Sequence, residues 1–127
     1  MSFKYVLDSS AWLEYLEGSE KGARIHEIIE ERTAAITILA LAELADKFER
    51  ENRAFEKTLQ FIQSKSPILS LNISIIQGAA KIKKKQRLSQ SKFGLIDALH
   101  LATAKYHGAI FITKDLDFKG IENVVIL

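Results

Sequence analysis

Phe3-Lys4-Tyr5-Val6-Leu7-Asp8-Ser9-Ser10-Ala11-Trp12-Leu13 is the stretch that decides how this chain reads. Residues 3–7 are short, mostly apolar and β-prone, the pattern of a buried strand. A lone acid, Asp8, ends the run. Ser9 or Ser10 can then cap a helix expected over residues 11–17, with Gly18 as its stop. Strand, acid and helix follow one another without a linker.

The same alternation continues outward. A helical stripe of Ala23, Ile25, Ile28 and Ile29 predicts a helix over residues 20–32, and residues 34–38 read as a second strand. Leu41, Leu44, Ala45 and Phe48 fall at helical spacing within residues 39–50. Phe55, Leu59 and Ile62 do so within a further helix over residues 53–65. Pro67 breaks the pattern before a third strand at residues 68–71. Ser74 with Gln77 suggests a capping box for a helix running to about Leu88. Residues 96–106 are apolar on most sides, so this helix is expected to be central. Residues 109–113 and 123–126 read as the fourth and fifth strands. Short strands alternating with helices argue for an α/β fold: three α/β/α layers around a mostly parallel sheet of four or five strands.

The bulk numbers agree with one domain over residues 1–127 and a single core. Hydrophobic residues make up 47% of the chain and charged residues 27%, which excludes disorder. The absence of cysteine excludes disulfides and thiolate metal sites. A net charge of +2 gives no strong global field. No apolar stretch approaches the roughly 18 residues of a membrane span, and the amino terminus has no signal-peptide pattern. A cytoplasmic location is the expectation, with no membrane partner.

Four acids stand where apolar runs end or turn over: Asp8, Glu43, Asp97 and Asp115. Burying a charge is costly unless it is paired or holds a metal. In an open parallel sheet, sites lie beyond the carboxyl ends of the strands. Asp8 directly follows strand one, and Asp115 follows strand four by one turn. Glu43 lies near the start of the helix leaving strand two, and Asp97 opens the helix leading to strand four. One rim can gather all four. At an effective dielectric near 20, two carboxylates about 5 Å apart repel by roughly 3 kcal/mol, while a helix N-terminus offsets about 0.3–1 kcal/mol. Such a cluster needs a cation or must take up protons. Oxygen ligands without cysteine favour Mg²⁺ or Mn²⁺, and the chemistry expected of such a site is phosphodiester hydrolysis.

The ordered set Val6-Leu7-Asp8-Ser9-Ser10-Ala11-Trp12-Leu13, Leu41-Ala42-Glu43-Leu44, Gly94-Leu95-Ile96-Asp97-Ala98-Leu99-His100-Leu101-Ala102-Thr103-Ala104 and Ile112-Thr113-Lys114-Asp115-Leu116-Asp117-Phe118 resembles the PIN domain across essentially the whole chain. It is most similar to the VapC-type toxin ribonucleases of toxin–antitoxin pairs. The resemblance implies a metal-dependent endoribonuclease acting on RNA, with Asp8, Glu43, Asp97 and Asp115 holding Mg²⁺ or Mn²⁺ directly or through water. Asp117, two residues on, shares or replaces the role of Asp115. Thr113 corresponds to a hydroxyl residue that positions an acid or water, and Ser9 assists. The resemblance further implies a homodimer and a cognate antitoxin whose tail blocks the site.

Each acid also has a plain structural reading. Asp8 and Asp97 can be helix caps, Glu43 can sit on a solvated face, and Asp115 or Asp117 can make an Asx turn. His100 shares a helix face with Asp97, where a local hydrogen bond explains it better than a metal; His26 and His107 read as surface residues. The run of Lys81, Lys83, Lys84, Lys85 and Arg87 can track RNA phosphates or form the wet face of a helix. Trp12, Leu13 and Leu16 can serve a partner surface or the core. The competing functional reading is a PIN-like module that binds RNA or protein without cutting.

Overall fold

The computed structural model describes residues 3–127. All five expected strands form, as β1 (Tyr5–Leu7), β2 (Ala34–Thr37), β3 (Ile68–Leu69), β4 (Ile110–Thr113) and β5 (Val124–Ile126). They pair in the order β3-β2-β1-β4-β5, and every pair is parallel. Helices α1 (Ser9–Leu16), α2 (Glu20–Ala23) and α3 (His26–Glu30) join β1 to β2. Helices α4 (Ile38–Arg50) and α5 (Glu56–Lys65) join β2 to β3. Helices α6 (Ile73–Gln86) and α7 (Leu95–Tyr106) carry the chain back across the sheet to β4, and a 3₁₀ turn at Leu116–Phe118 precedes β5.

The pleat sorts the strand residues into two cores, because successive side chains face opposite ways. Val6, Ala35 and Phe111 pack with Ile75, Ala79, Ala98, Leu101 and Ala102 of α6 and α7. Their sequence neighbours Leu7, Ala34, Ile36 and Ile112 pack with Trp12, Ile29, Leu44 and Ile62 of α1, α3, α4 and α5, and with Ile25 between α2 and α3. The sheet is thus covered on both faces, giving the α/β/α sandwich. Strand order runs outward from β1 to β3, then reverses to β4 and β5. Right-handed crossovers require the covering helices to change face at that reversal, and the two cores divide in that way. β1 and β4 therefore flank the switch point, where sites of this architecture form. Among the described residues no helix is long and apolar enough to cross a membrane.

Four local expectations are corrected. The helix expected over residues 20–32 is two short ones, because Ile25 leaves helical geometry (φ −110°, ψ 3°) to bury its side chain in the core. Gly22 sits so close to the end of α1 that an added Cβ would lie 2.2 Å from the Glu14 carbonyl oxygen. Asp8, not Ser9 or Ser10, caps α1, accepting from the Ala11 amide. Asn72, not Ser74, caps α6, and its side chain accepts from the Ile75 amide. The helix expected from residue 53 starts at Glu56, since Asn52 ends α4 at φ 56° and the Arg53 guanidinium turns back over the Phe48 ring at 4.1 Å.

Candidate active site at the carboxyl edge of the sheet

Asp8 is the first residue beyond β1, and its amide still bonds the Ile112 carbonyl at 3.2 Å. That bond holds it against β4 at the switch point. Asp8 as a whole is only 7% exposed. Oδ1 accepts from the Ser10 hydroxyl at 2.7 Å and the Ala11 amide at 3.0 Å. Oδ2 accepts from the Thr113 hydroxyl at 2.5 Å. Capping explains the Ala11 bond, but not burial or a bond from the end of β4. Burial pushes the Asp8 carboxyl above the usual aspartate range, against the lowering effect of the bonds from Thr113, Ser10 and Ala11.

Thr113 is fully buried and joins two acids, because its oxygen also accepts the Asp115 amide at 3.0 Å. Ser10 similarly ties Asp8 to the β4 end, accepting the Lys114 amide at 3.0 Å. Asp115 caps the 3₁₀ turn through the Asp117 amide at 2.9 Å, so the Asx-turn geometry is present. Asp117 itself is exposed.

Glu43 projects from the second turn of α4, and its side chain is 45% exposed. Its Oε1 accepts the Ser9 hydroxyl at 3.1 Å and pairs with His100 Nε2 at 3.1 Å. The His100 bond holds the Glu43 carboxyl below the usual glutamate range, helped by the Ser9 bond and opposed by partial burial. His100 is buried, and its Nδ1 meets the Thr37 hydroxyl at 3.1 Å. Asp97 stands three residues earlier in α7, half-buried, with Oδ2 accepting the Gly94 amide at 2.9 Å to close the first helical turn.

The four acids thus divide. Asp8 and Asp115 are joined through Thr113; Glu43 reaches α1 through Ser9 and α7 through His100. The Asp97 carboxylate is bonded to its own helix start. Among the described residues no three Asp, Glu or His side chains stand close enough together to hold one metal ion. In kind, the donors suit a hard divalent cation: carboxylates and hydroxyls without a thiol. Among the described residues Asp8, Asp97, Asp115 and Asp117 form no ion pair, and Glu43 pairs only with His100. A buried carboxylate with no cationic partner is the situation that a bound cation relieves.

Sequence reasoning gave Ser10 only a capping role, did not name Thr37, and gave His100 only a local bond. His100 could have been suspected from its surroundings, as a polar ring amid Ala98, Leu99, Leu101 and Ala102. The lysine run ends at the far pole of the sheet. There Lys85 and Lys105 border a cavity of about 790 Å³ with Gly108, Ala109 and Asn123, which precede β4 and β5.

Residues 5–124 match the PIN domain family, and the chain belongs to that family. Its fold is shared by solved structures of low sequence identity. A chain of a toxin–antitoxin complex from Klebsiella pneumoniae is 21% identical, with a TM-score of 0.79 and 96% of each chain covered. A chain of VapBC2 from Rickettsia felis, bound to a DNA fragment from its promoter, is 19% identical, with a TM-score of 0.76, covering 100% of this chain and 98% of that one. A chain of FitAcB from Neisseria gonorrhoeae is 19% identical, with a TM-score of 0.69, covering 97% and 96%. No protein of curated function matches the sequence.

Proposed function

We propose that this chain is a Mg²⁺- or Mn²⁺-dependent endoribonuclease hydrolysing RNA phosphodiesters, and that it is the toxin of a VapBC-type toxin–antitoxin pair. The observation that carries the reading is Asp8. It is a buried carboxylate without a cationic partner, fixed by Thr113 and Ser10 at the switch point of a parallel sheet. Family membership and the shared fold with a toxin–antitoxin complex support it. The partners proposed are a protein antitoxin that blocks the site and a second copy of the chain.

The donors proposed for the ion are Asp8, Glu43, Asp97 and Asp115, with Asp117 two residues on; no three of the described acids stand close enough together to hold it as they are, so binding would have to draw them together. When bound, the ion supplies Lewis-acid polarisation of a phosphoryl oxygen and an acidified water. The protein's own part is orientation and charge. Thr113 and Ser10 each hold one oxygen of Asp8. Ser9 and His100 both hold Glu43 Oε1, leaving Oε2 free among the described residues to take a proton or a ligand. The depressed Glu43 carboxyl keeps that oxygen anionic at neutral pH.

Two measurements test the reading. Mn²⁺ at a hundred times its dissociation constant stabilises a binding protein by about 2.7 kcal/mol. The wild type gains thermal stability with Mn²⁺, and the Asp8→Asn/Asp97→Asn double variant does not. Structured RNA is cut in Mn²⁺ and left intact in EDTA. Intact RNA in Mn²⁺, from protein free of any co-purified partner, overturns the nuclease reading in favour of a binding module.

A further inference from the structure

We infer that His100 is a positioning residue for Glu43 and that Thr37 sets the tautomer in which it works. The inference rests on the nuclease reading for the part that Glu43 plays in the chemistry. Its geometry rests on bonds between three elements of the fold.

His100 is 3% exposed, in the middle of α7, with its ring stacked on Phe111 at 5.9 Å between centroids. Both ring nitrogens have side-chain partners far away in sequence. Nδ1 meets Thr37 Oγ1 at 3.1 Å, and Nε2 meets Glu43 Oε1 at 3.1 Å. Thr37 ends β2 and caps α4; its oxygen accepts the Ala40 amide at 2.9 Å. A hydroxyl has one proton to give, and an ionised carboxylate only accepts. Glu43 therefore requires the proton on Nε2. Thr37 Oγ1, already accepting from Ala40, gives its proton to Nδ1. The neutral imidazole with Nε2–H satisfies every donor and acceptor in the row. Direction runs one way: Ala40 N–H to Thr37, Thr37 O–H to His100, His100 N–H to Glu43.

An exposed glutamate is otherwise free to change rotamer, and ordering such a side chain has an entropic cost. A ring locked in the core and bonded to one carboxylate oxygen keeps Glu43 in place before any ligand arrives. Partners that orient a metal-binding or reacting carboxylate in this manner typically change metal affinity or activity about 10- to 100-fold when removed. If His100 only filled space in the core, an apolar residue of similar volume would serve as well.

Three variants separate these roles. His100→Leu keeps volume and removes both bonds, His100→Gln keeps a donor toward Glu43, and Thr37→Val removes the partner of Nδ1. The expected result for His100→Leu is a kcat for RNA cleavage lower by about 10- to 100-fold, with KM nearly unchanged and Mn²⁺ bound more weakly by calorimetry. His100→Gln recovers most of both. In the metal-free wild type, ¹⁵N NMR of the histidine rings shows one buried ring protonated at Nε2 alone, and Glu43→Gln and Thr37→Val each shift its signals. Equal kcat in the Leu and Gln variants, or a buried ring protonated at Nδ1 alone, overturns the inference. Absence of wild-type cleavage refutes the nuclease reading instead. The NMR signature and the calorimetry still decide whether His100 holds Glu43.

Discussion

Thr113 donates its hydroxyl to Asp8 Oδ2 at 2.5 Å, joining the carboxyl ends of β4 and β1 across 105 positions of sequence. Backbone pairing alone aligns these strands. The side-chain bond fixes one carboxylate oxygen at the place where strand order reverses. Thr113 is fully buried, so replacing its hydroxyl by a methyl leaves Asp8 Oδ2 and the Asp115 amide without their partner. Thr113→Val should cost about 2 kcal/mol in urea unfolding, the range for a buried hydrogen bond to a charged group. Thr113→Ser keeps the bond and loses only a methyl, about 0.8 kcal/mol. In RNA cleavage Val should lose about 10- to 100-fold, and Ser should stay near wild type. Equal losses in both would show that the methyl matters and the bond does not.

Asp8→Asn should separate stability from function. The amide oxygen can accept from Ser10 and the Ala11 amide, and its NH₂ can donate to Thr113, whose own hydroxyl proton must then turn to Ser10 Oγ at 3.4 Å. Burial raises the Asp8 carboxyl above 3.8, and the folded state therefore binds its proton more tightly than the unfolded state. The contribution of Asp8 to stability is thus greatest at low pH and declines as pH rises through the folded value. In EDTA at neutral pH, Asp8→Asn should be at least as stable as wild type, and the gap should close as pH falls toward 4. Cleavage should be lost by about 100-fold or more. A variant less stable than wild type at pH 7 in EDTA would mean that the ionised carboxylate stabilises the fold.

How much was legible from sequence follows from the range of the interactions involved. The strands showed as short apolar runs because both faces of a parallel sheet are buried, so their bounds shift by only a residue or two. The edge position of Asp8 and Asp115 was legible from the strand each one follows. The break at Ile25 was not, since the helical stripe remains intact and both the burial of Ile25 and the close approach of Gly22 to Glu14 depend on packing against distant or neighbouring elements. Asn72 was passed over for Ser74 because both are good caps, and only the backbone decides which lies outside the helix. The Thr37–His100–Glu43 row spans 63 positions and has no local spacing signature.

Tyr15 should titrate late. Burial raises its hydroxyl to about 12, helped by its bond to Glu30. In alkaline titration followed at the phenolate absorbance band, Tyr15 should ionise well after exposed tyrosines, whose ordinary value is about 10. The folded value is the higher one, so the stability that Tyr15 contributes is complete below 10 and is lost as pH rises through 12. Glu30→Gln removes the charged acceptor and should bring the ionisation earlier. A Tyr15 signal at the ordinary value in wild type would mean that neither the burial of the ring hydroxyl nor its contact with Glu30 holds in solution.

Two glycines should respond to alanine in opposite directions. Gly22 faces backbone: an added Cβ would lie 2.2 Å from the Glu14 carbonyl oxygen and 2.7 Å from the Tyr15 Cα. Neither atom can rotate away, so α2 must lift from α1. Gly22→Ala should cost about 3 kcal/mol, the upper part of the usual overpacking range. Gly78 lies inside α6 with nothing within 4 Å of the added Cβ. Gly78→Ala should stabilise by about 1 kcal/mol through helix propensity and a less disordered unfolded chain. Trp12 is the chain's one tryptophan and is fully buried, so its fluorescence in urea reports both changes. A neutral Gly22→Ala would show that α2 is free to move and that the close approach to α1 does not set the break in the helical segment.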